Sequence, residues 1–332
     1  MTFSLVFIGP PWATMGGDYR NKPEDFTVVP KWVPFESSIA YSYFSIKKIF
    51  DAVQVNELGV SDFYRFGAGQ EGADILVSRS SYEVELEWLK LLEELTQKPV
   101  FPLGQLSRRS SDLNPGKETE AWLCIKQWLD SQNKGLVIYV AFGSECKPSQ
   151  YELTRIALGL ENSGMPFFWV LRTQMGSSDN EPIELPEGFE ERVKGRGLVW
   201  RTWAPQFEIL AHDSVGGFLT HSGWGSVVDS LSFGRALILL SFLSDQELNS
   251  RFLVEKKMGY PIPRNELDGS FTSDSVTESL RLVMVEEQGR CYRENAKKME
   301  ELLGDQELQE SYVDNFLNYM KSTRWRKEIL QH

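Results

Sequence analysis

The pattern of apolar and polar positions is most regular in the second part of the chain. Residues 136–142, Leu-Val-Ile-Tyr-Val-Ala-Phe, form an uninterrupted apolar run, and residues 167–171 form another. Runs of this kind are typical of strands buried on both faces of a parallel sheet. Between them, apolar residues recur at helical spacing from Leu153 to Leu160. The three segments together predict one βαβ unit.

The ends of the intervening helix are also marked in the sequence. Ser149 is a suitable N-cap residue, and Glu152 stands three residues later, which is the spacing of a capping box. Gly164 follows the last apolar position and suits the left-handed conformation that closes many helices. We therefore expect a helix that begins just after Ser149 and ends at Gly164.

The same alternation of strands and helices continues for about ninety residues. Short apolar runs rich in β-branched or aromatic residues predict strands at 198–200, 215–220 and 237–241. The segments between them predict helices at 206–211, 223–233 and 246–258. This order predicts a doubly wound parallel sheet of the α/β class, followed by helices over 275–322.

The first hundred residues have a weaker pattern. Strands are predicted at 73–78 and 99–101, with an amphipathic helix over 82–95 between them. The opening contains Pro10, Pro11, Pro23, Pro30 and Pro34, and this density of proline predicts loops.

A polar stretch separates this region from the regular part of the chain. Residues 107–119 are rich in Ser, Asp, Asn, Pro and Gly, which is the composition of a linker. We therefore predict a domain over 1–106, a linker over 107–119 and a second domain that begins at residue 120.

Composition excludes several classes of protein. The chain has 332 residues and a formal net charge of −12, so phosphate backbones would repel it and we expect no nucleic-acid partner. Its 3 cysteines, Cys124, Cys146 and Cys291, have no CxxC spacing, which argues against a disulfide framework or a cysteine zinc site. No apolar run reaches the roughly 20 residues of a membrane span. We expect a cytoplasmic protein.

The residues best suited to chemistry follow the strand that is predicted to end at Thr220. His221 comes next, and then small residues, including Gly223 and Gly225, at the start of a helix. In open α/β sheets, ligands bind at the carboxyl ends of the strands. Small residues let the backbone approach a ligand, and the N-terminus of a helix favours phosphate. This turn therefore predicts a phosphate site with His221 beside it.

Neighbouring side chains suit the other parts of a nucleotide sugar. Ser226 and Asp229 share one helical face and can meet a ribose, and Trp203 can stack on a flat base. Asp245 and Gln246 follow the next strand, where sugar hydroxyls can be held. Each residue alone also fits an ordinary structural role, such as a core tryptophan or a helix cap. A nicotinamide-dependent oxidoreductase is disfavoured, because no GxGxxG follows a strand.

Residues 203–246 resemble the donor-binding signature of plant secondary-product UDP-glycosyltransferases. The resemblance extends to residues 72–77, 139–144 and 168–172, and so covers nearly the whole chain. Within the signature, the matching residues are Trp203-Ala204-Pro205-Gln206, His212, Gly217-Phe218, Thr220-His221, Gly223-Trp224, Ser226, Gly234 and Asp245-Gln246.

The resemblance implies a fold and a set of donor contacts. The fold is the two-domain glycosyltransferase B type with Rossmann-like sheets, in which residues 120–308 bind the UDP-sugar and helices in 309–332 return to the first domain. The family's donor contacts map to Trp203 and Ala204 at the uracil; Gln206 and Asp229 at the ribose; Ser144, His221, Gly225 and Ser226 along the diphosphate; and Ser244, Asp245 and Gln246 at the sugar. Trp224 would shape the pocket. The UDP-sugar is a co-substrate, and neither a metal nor a further cofactor is implied.

Some positions depart from the family pattern. Gly225 replaces the usual Asn, Asp229 the usual Glu, and Ala236 and Ser241 two usual prolines. Residues 232–240 and 31–35 resemble a subgroup that adds rhamnose or glucose to a sugar already attached to a flavonoid or triterpenoid. The expected function is therefore inverting transfer of rhamnose or glucose to a hydroxyl of such a plant glycoside, by a monomer.

The family's catalytic base has no counterpart among the histidines. The family places a His in an early loop of its first domain, whereas the 3 histidines here are His212, His221 and His332. We therefore assign no catalytic residue and expect an N-terminally truncated chain with an incomplete first domain. The alternative to an active transferase is a catalytically silent truncation product that still binds UDP-sugar.

Overall fold

The computed structural model describes residues 1–16, 20–50, 59–106, 119–171 and 184–322. Except for Thr119, the predicted linker over 107–119 lies outside the described residues. The chain divides into two compact units. The first combines Met1–Ser107 with Leu303–His332, and the second is Arg108–Leu302.

The first part of unit 1 contains several short helices, so the prediction of a loop-like opening was wrong at Pro11 and Pro23, whereas Pro30 and Pro34 lie in a segment without helix or strand. Pro11 occupies the first position of a helix, and Pro23 the first position of a 3-10 turn. Proline is tolerated there because the N–H that it lacks would have no partner within the helix. The helical elements are α1 (Thr2–Ile8), α2 (Pro11–Met15), the 3-10 turn (Pro23–Phe26), α3 (Tyr43–Phe50) and α4 (Asp62–Gly72).

A small parallel sheet follows these helices in unit 1. Strands β1 (Leu76–Ser78) and β2 (Val100–Pro102) pair in parallel and are joined by helix α5 (Tyr82–Thr96). The helix and both strands were predicted, although the predicted strand over 73–78 is shorter in the structure. Helix α5 buries Trp88 and Leu92 in the core of this unit.

Unit 2 contains the regular βα alternation that the sequence predicts. Strand β8 has only three residues, ends at a proline and was not predicted. The elements are α6 (Glu120–Asp130), β3 (Val137–Ala141), α7 (Gln150–Ser163), β4 (Phe167–Val170), α8 (Phe189–Arg192), β5 (Gly197–Trp200), α9 (Gln206–Ala211), β6 (Val215–Thr220), α10 (Trp224–Leu231), β7 (Ala236–Leu239), α11 (Ser244–Glu255), β8 (Gly259–Pro261), α12 (Ser273–Met284) and α13 (Arg290–Gly304).

The six strands of unit 2 form one parallel sheet, which confirms the predicted α/β class. Their order is β5-β4-β3-β6-β7-β8, so the chain winds outward in one direction from β3 and in the other from β6. The carboxyl ends of these two central strands are neighbours, with Ala141 paired to Thr220. The place where the winding direction changes is the topological switch point, and ligands of doubly wound sheets bind there. In this sheet it lies between the loops after β3 and β6.

Helix α7 shows how sequence signals fix the packing around this sheet. The predicted capping box between Ser149 and Glu152 is present, and Gly164 ends the helix with φ of 69°. Gly159 lies where α7 crosses α12, and a Cβ atom there would come within 2.5 Å of Val276. The glycine therefore allows the two helices to approach closely, at the usual cost in helix propensity.

The last described helix, α14 (Gln306–Ser322), belongs to unit 1. The Tyr312 hydroxyl donates to Glu83 Oε2 at 2.7 Å and accepts from the Tyr82 N–H at 2.9 Å. Phe101 of β2 packs on Tyr319, with ring centroids 4.5 Å apart. Unit 1 is therefore built from two separate stretches of the chain.

Candidate functional site

The turn between β6 and α10, residues 221–223, is held in an unusual conformation. Ser222 is buried and has φ of 68°, in the left-handed region that most side chains avoid. Its carbonyl accepts a hydrogen bond from Asn249 Nδ2 at 2.9 Å, and its N–H donates to Thr220 Oγ1 at 3.3 Å. These hydrogen bonds to Asn249 and Thr220 fix the backbone of the turn at the switch point.

The imidazole of His221 lies between two glycines. A Cβ atom at Gly143, in the loop after β3, would come within 3.0 Å of the ring. A Cβ atom at Gly223, just before α10, would come within 2.4 Å of Nε2. Gly143 also has φ of 73°, which glycine adopts without strain. Both glycines are thus needed for His221 to occupy the space between the two central loops.

The surroundings of His221 keep its ring uncharged near neutral pH. Burial lowers the pKa of His221, and the Ala141 carbonyl and the Glu145 carboxylate oppose this shift only in part. A neutral imidazole still donates one N–H. The backbone N–H groups in the first turn of α10 are also available to a ligand, and the helix dipole favours negative charge there. The turn can therefore hold phosphate oxygens.

The structure brings two of the predicted donor contacts together beside this turn. Gln206, the first residue of α9, donates from Nε2 to Ser226 Oγ at 3.2 Å. Gly225 is exposed in the first turn of α10, and Asp229 is half-buried one turn further on. The indole of Trp224 packs edge-on against Phe252, at 6.1 Å between centroids. Helices α9 and α10 thus present polar side chains side by side.

Trp203 stands out among the tryptophans because 63% of it is exposed, whereas Trp88 and Trp169 are buried. The Trp203 carbonyl accepts a hydrogen bond from Trp200 Nε1 at 3.1 Å, which holds the backbone after β5. Ala204 is half-buried behind it. An exposed indole on a fixed backbone is a suitable platform for a flat ring.

The loop between β7 and α11, residues 240–243, contacts the side chain of Gln246. Gln246 Oε1 accepts hydrogen bonds from the N–H groups of Phe242 and Leu243, both at 3.0 Å. Gln246 Nε2 lies 3.2 Å from the sulfur of Cys146. Gln246 is therefore buried and caps its own helix, which is the ordinary structural role that the sequence also allowed for it.

Ser244 and Asp245, the two remaining predicted sugar contacts, directly follow this loop at the start of α11. Asp245 is exposed in the first turn of α11, whereas the side chain of Ser244 lies outside the described residues. Ser144 is exposed in the turn after β3. The carboxyl ends of β3, β6 and β7 thus carry the predicted diphosphate and sugar contacts on three loops of one sheet.

Comparison with known proteins identifies the family. A family model described as "UDP-glucoronosyl and UDP-glucosyl transferase" matches residues 111–312. The chain belongs to this family of UDP-glycosyltransferases. It is 50% identical to UDP-glycosyltransferase 91A1 of Arabidopsis thaliana, over 92% of this chain and 65% of that protein. It is also 38% identical to soyasaponin III rhamnosyltransferase of Glycine max, over 97% of this chain and 67% of that protein.

A solved relative supports the fold. The chain resembles Phytolacca americana UGT2, complexed with UDP-2fluoro-glucose and pterostilbene, with a TM-score of 0.66 and 27% identity. The match covers 77% of this chain and 56% of that one. The predicted glycosyltransferase B type of fold is thereby confirmed. The chain spans about two-thirds of the length of the two plant relatives.

The two described histidines of the chain have different surroundings. His212 ends α9, where Nδ1 lies 2.9 Å from Ser214 Oγ and Nε2 lies 3.0 Å from Asp130 Oδ1. Both ring nitrogens thus have partners within the protein, as expected for a structural residue. His332 lies outside the described residues. That no catalytic residue lies in this chain stays a prediction.

Three further residues of the site were not predicted from sequence: Cys146, Asn249 and Arg264. Each acts through a contact between segments that are distant in the chain, which local patterns do not reveal. Burial raises the pKa of the Cys146 thiol and keeps it protonated.

Two absences concern only the described parts of the chain. Among those residues, no group of three or more His, Cys, Asp or Glu side chains could hold a metal ion. None of the helices described there is both long and apolar enough to cross a membrane.

Proposed function

We propose that this chain binds a UDP-sugar at the carboxyl ends of the unit 2 strands. The observation that carries the proposal is the wedging of His221 between Gly143 and Gly223 at the switch point, beside the N-terminus of α10. There the diphosphate oxygens accept hydrogen bonds from the His221 N–H and from backbone N–H groups, and Ser144 and Ser226 lie alongside. These donors offset its charge without requiring a metal ion.

The nucleoside end of the donor would extend from this turn towards α9. Trp203 stacks on the uracil, and the Ala204 backbone pairs with its edge. Gln206 and Asp229 hold the ribose hydroxyls. The hydrogen bond between Gln206 and Ser226 supports this arrangement, because a proposed ribose-binding residue and a proposed phosphate-binding residue are in direct contact. Asp229 is one methylene shorter than the Glu usual at its position and therefore makes its contact closer to α10.

The sugar end would lie beside the loop after β7. Asp245 is exposed and accepts hydrogen bonds from sugar hydroxyls, with Ser244 lining the site. Gln246 Nε2 donates one hydrogen to the sulfur of Cys146. Its second amide hydrogen can be donated to a hydroxyl of the sugar. Trp224 shapes the pocket between the sugar and α11.

We further propose that the complete enzyme transfers rhamnose or glucose to a hydroxyl of a flavonoid or triterpenoid glycoside. The acceptor hydroxyl oxygen attacks the anomeric carbon opposite the leaving UDP, and its proton passes to the base that the family places in its first domain. The bond between the anomeric carbon and the β-phosphate oxygen breaks, UDP leaves with the electron pair, and the configuration inverts. The negative charge that develops on UDP falls where His221 and α10 offset it. The similarity to soyasaponin III rhamnosyltransferase supports this substrate class. A monomeric state and a cytoplasmic location stay predictions.

A second candidate function is donor binding without transfer. The observation that favours it is the engagement of both described histidines, His212 in structural contacts and His221 at the diphosphate turn. A base usually contributes about 10²–10⁴-fold to such reactions. Transfer of radiolabelled sugar by this chain separates the candidates. Turnover near the usual 1–10³ s⁻¹ excludes the silent form, whereas binding with turnover only in added imidazole supports it.

Titration calorimetry with UDP tests the donor site itself. Trp203→Ala is expected to weaken UDP binding about tenfold or more, since base stacking on an aromatic ring is worth roughly 1–3 kcal/mol. Trp12→Ala is the matched control, because Trp12 is 48% exposed in unit 1 and has no place in the proposed site. Equal UDP affinity in the Trp203 variant and the unaltered chain contradicts the proposal.

A further inference from the structure

Arg264 joins two loops behind the proposed sugar end of the site. It follows β8, and its side chain is only 14% exposed. Nη2 donates to the Ser241 carbonyl at 2.8 Å, in the loop after β7. Nη1 donates to the Gly269 carbonyl at 2.9 Å, in the segment that leads to α12. One guanidinium thus fixes two backbone segments.

Aromatic rings hold the plane of this guanidinium. Its central carbon lies 5.4 Å from the centroid of Phe242 and 5.0 Å from that of Phe271. Phe242 packs edge-on against Phe142 at the end of β3, with centroids 5.2 Å apart. A planar cation stacks on such rings while it donates in two directions, and a lysine ammonium does not reproduce that geometry.

Arg264 also reaches the first turn of α7, which follows the loop after β3. Nη1 lies 3.9 Å from Glu152 Oε1. The other carboxylate oxygen of Glu152 accepts from the N–H and the hydroxyl of Ser149 at the start of α7. Arg264 therefore connects the start of α7 with the loops after β7 and β8, and the loop after β7 leads directly to the proposed sugar contacts.

The loop after β7 depends on two side chains for its shape. Arg264 holds the Ser241 carbonyl, and Gln246 holds the N–H groups of Phe242 and Leu243. Ser241 Oγ also donates to the Gln246 carbonyl at 3.1 Å. A shift of Ser241 would therefore move the start of α11, where Asp245 and Gln246 lie.

The diphosphate turn has its own supports. Asn249 and the Thr220 hydroxyl hold Ser222, and two glycines hold the ring of His221. Two links join this turn to the loop after β7: Ser241 Oγ lies 3.4 Å from Ser222 Oγ, and Asn249 belongs to α11. Because Arg264 bonds the loop directly and the turn only through these links, loss of Arg264 should disturb the sugar end of the site more than the UDP end.

We propose that Arg264 is a positioning residue for the transferred sugar: it fixes the loop after β7 so that Asp245 and Gln246 meet the sugar hydroxyls. It does not itself touch the donor. This inference rests on the proposed function, since it requires the sugar to lie beside that loop.

The test compares affinities for UDP, UDP-glucose and UDP-rhamnose, measured by titration calorimetry on the full 332-residue chain. In Arg264→Met the Kd for at least one UDP-sugar should rise about tenfold, as expected for lost well-placed hydrogen bonds, and the Kd for UDP should rise clearly less. Arg264→Lys is a milder variant that keeps the charge, and it should show a smaller rise of the same kind.

Arg235→Met is the matched control. Arg235 is also largely buried and donates to two carbonyls, those of Leu210 and His212, but it precedes β7 at the opposite end of the sheet. It should lower the melting temperature without changing the ratio of the two affinities. A merely structural role of Arg264 would produce the same result in both arginine variants.

The outcomes separate this inference from the proposed function. Equal weakening of UDP and UDP-sugar binding in both Arg264 variants, or no weakening in either, overturns the positioning role. If Arg264→Met does not fold, the result for Arg264→Lys decides. Failure of the unaltered chain to bind UDP overturns the proposed function and this inference with it.

Discussion

The two ends of strand β6 each carry a histidine, and the two residues are held in opposite ways. At the amino end, both ring nitrogens of His212 have partners, and Arg235 donates to the carbonyls that precede the strand. At the carboxyl end, His221 is half-buried and lies between two glycines, next to Ser222, whose backbone is left-handed. The amino end thus satisfies its polar groups internally, whereas the carboxyl end presents donors to a ligand.

The largest expected difference between the two ends of β6 is in the effects of replacing each histidine by alanine. His221→Ala is expected to weaken UDP binding about tenfold to a hundredfold, because hydrogen bonds to charged groups are worth roughly 1.5–3 kcal/mol. His212→Ala should leave UDP affinity unchanged and lower the free energy of unfolding by about 1–2 kcal/mol. Calorimetry and urea unfolding measure the two effects. The comparison fails if both variants bind UDP equally well.

Two glycines with nearly the same backbone conformation allow a closely matched test, in which the expected loss of UDP affinity is smaller. Gly143 has φ of 73° and Gly135 has φ of 70°, so alanine at either position should cost roughly 1–2 kcal/mol of stability. A Cβ atom at Gly135, before β3, meets nothing within 4 Å, whereas one at Gly143 meets His221. Only Gly143→Ala should therefore also reduce UDP affinity. Equal UDP affinities in the two variants would contradict the wedged geometry of His221.

The smallest expected effect is on the pH dependence of stability. Because the pKa of His221 is lowered in the folded state, the unfolded chain binds more protons below about pH 6.5, the ordinary pKa of histidine. Stability should therefore fall as the pH drops through that window, by less than about 1.4 kcal/mol per pH unit for this one group. His221→Asn should have a shallower slope in urea unfolding between pH 7 and 5. An identical slope would show that the imidazole is not desolvated.

Much of unit 2 could be predicted because its strands are buried on both faces. Residues 136–142 and 215–220 contain almost no polar positions, which is a strong local signal, and the caps Ser149 and Gly164 are equally local. Strand β8 was missed because it is short and ends in a proline. The helices at the start of unit 1 were missed because proline was interpreted as a breaker, although Pro11 begins a helix.

The site was predicted as a set of residue types, and its internal supports were not. The sequence shows His221 beside glycines but not that Gly143, nearly eighty residues earlier, borders the same ring. Asp245 and Gln246 look alike as helix-start residues, yet one is exposed and the other is buried as a cap. Arg264 resembles an ordinary surface arginine until its partners at Ser241 and Gly269 are known. Contacts between distant loops require the fold.

The placement of α14 makes unit 1 a discontinuous domain. The described residues before 107 and those from Leu303 to Ser322 belong to the same unit, in which Tyr312 packs on Tyr82 and Tyr319 packs on Phe101. Cutting the chain at a single point between these stretches therefore separates the two parts of the unit. To obtain this domain by itself, the early stretch must be co-expressed with, or fused to, the last helix.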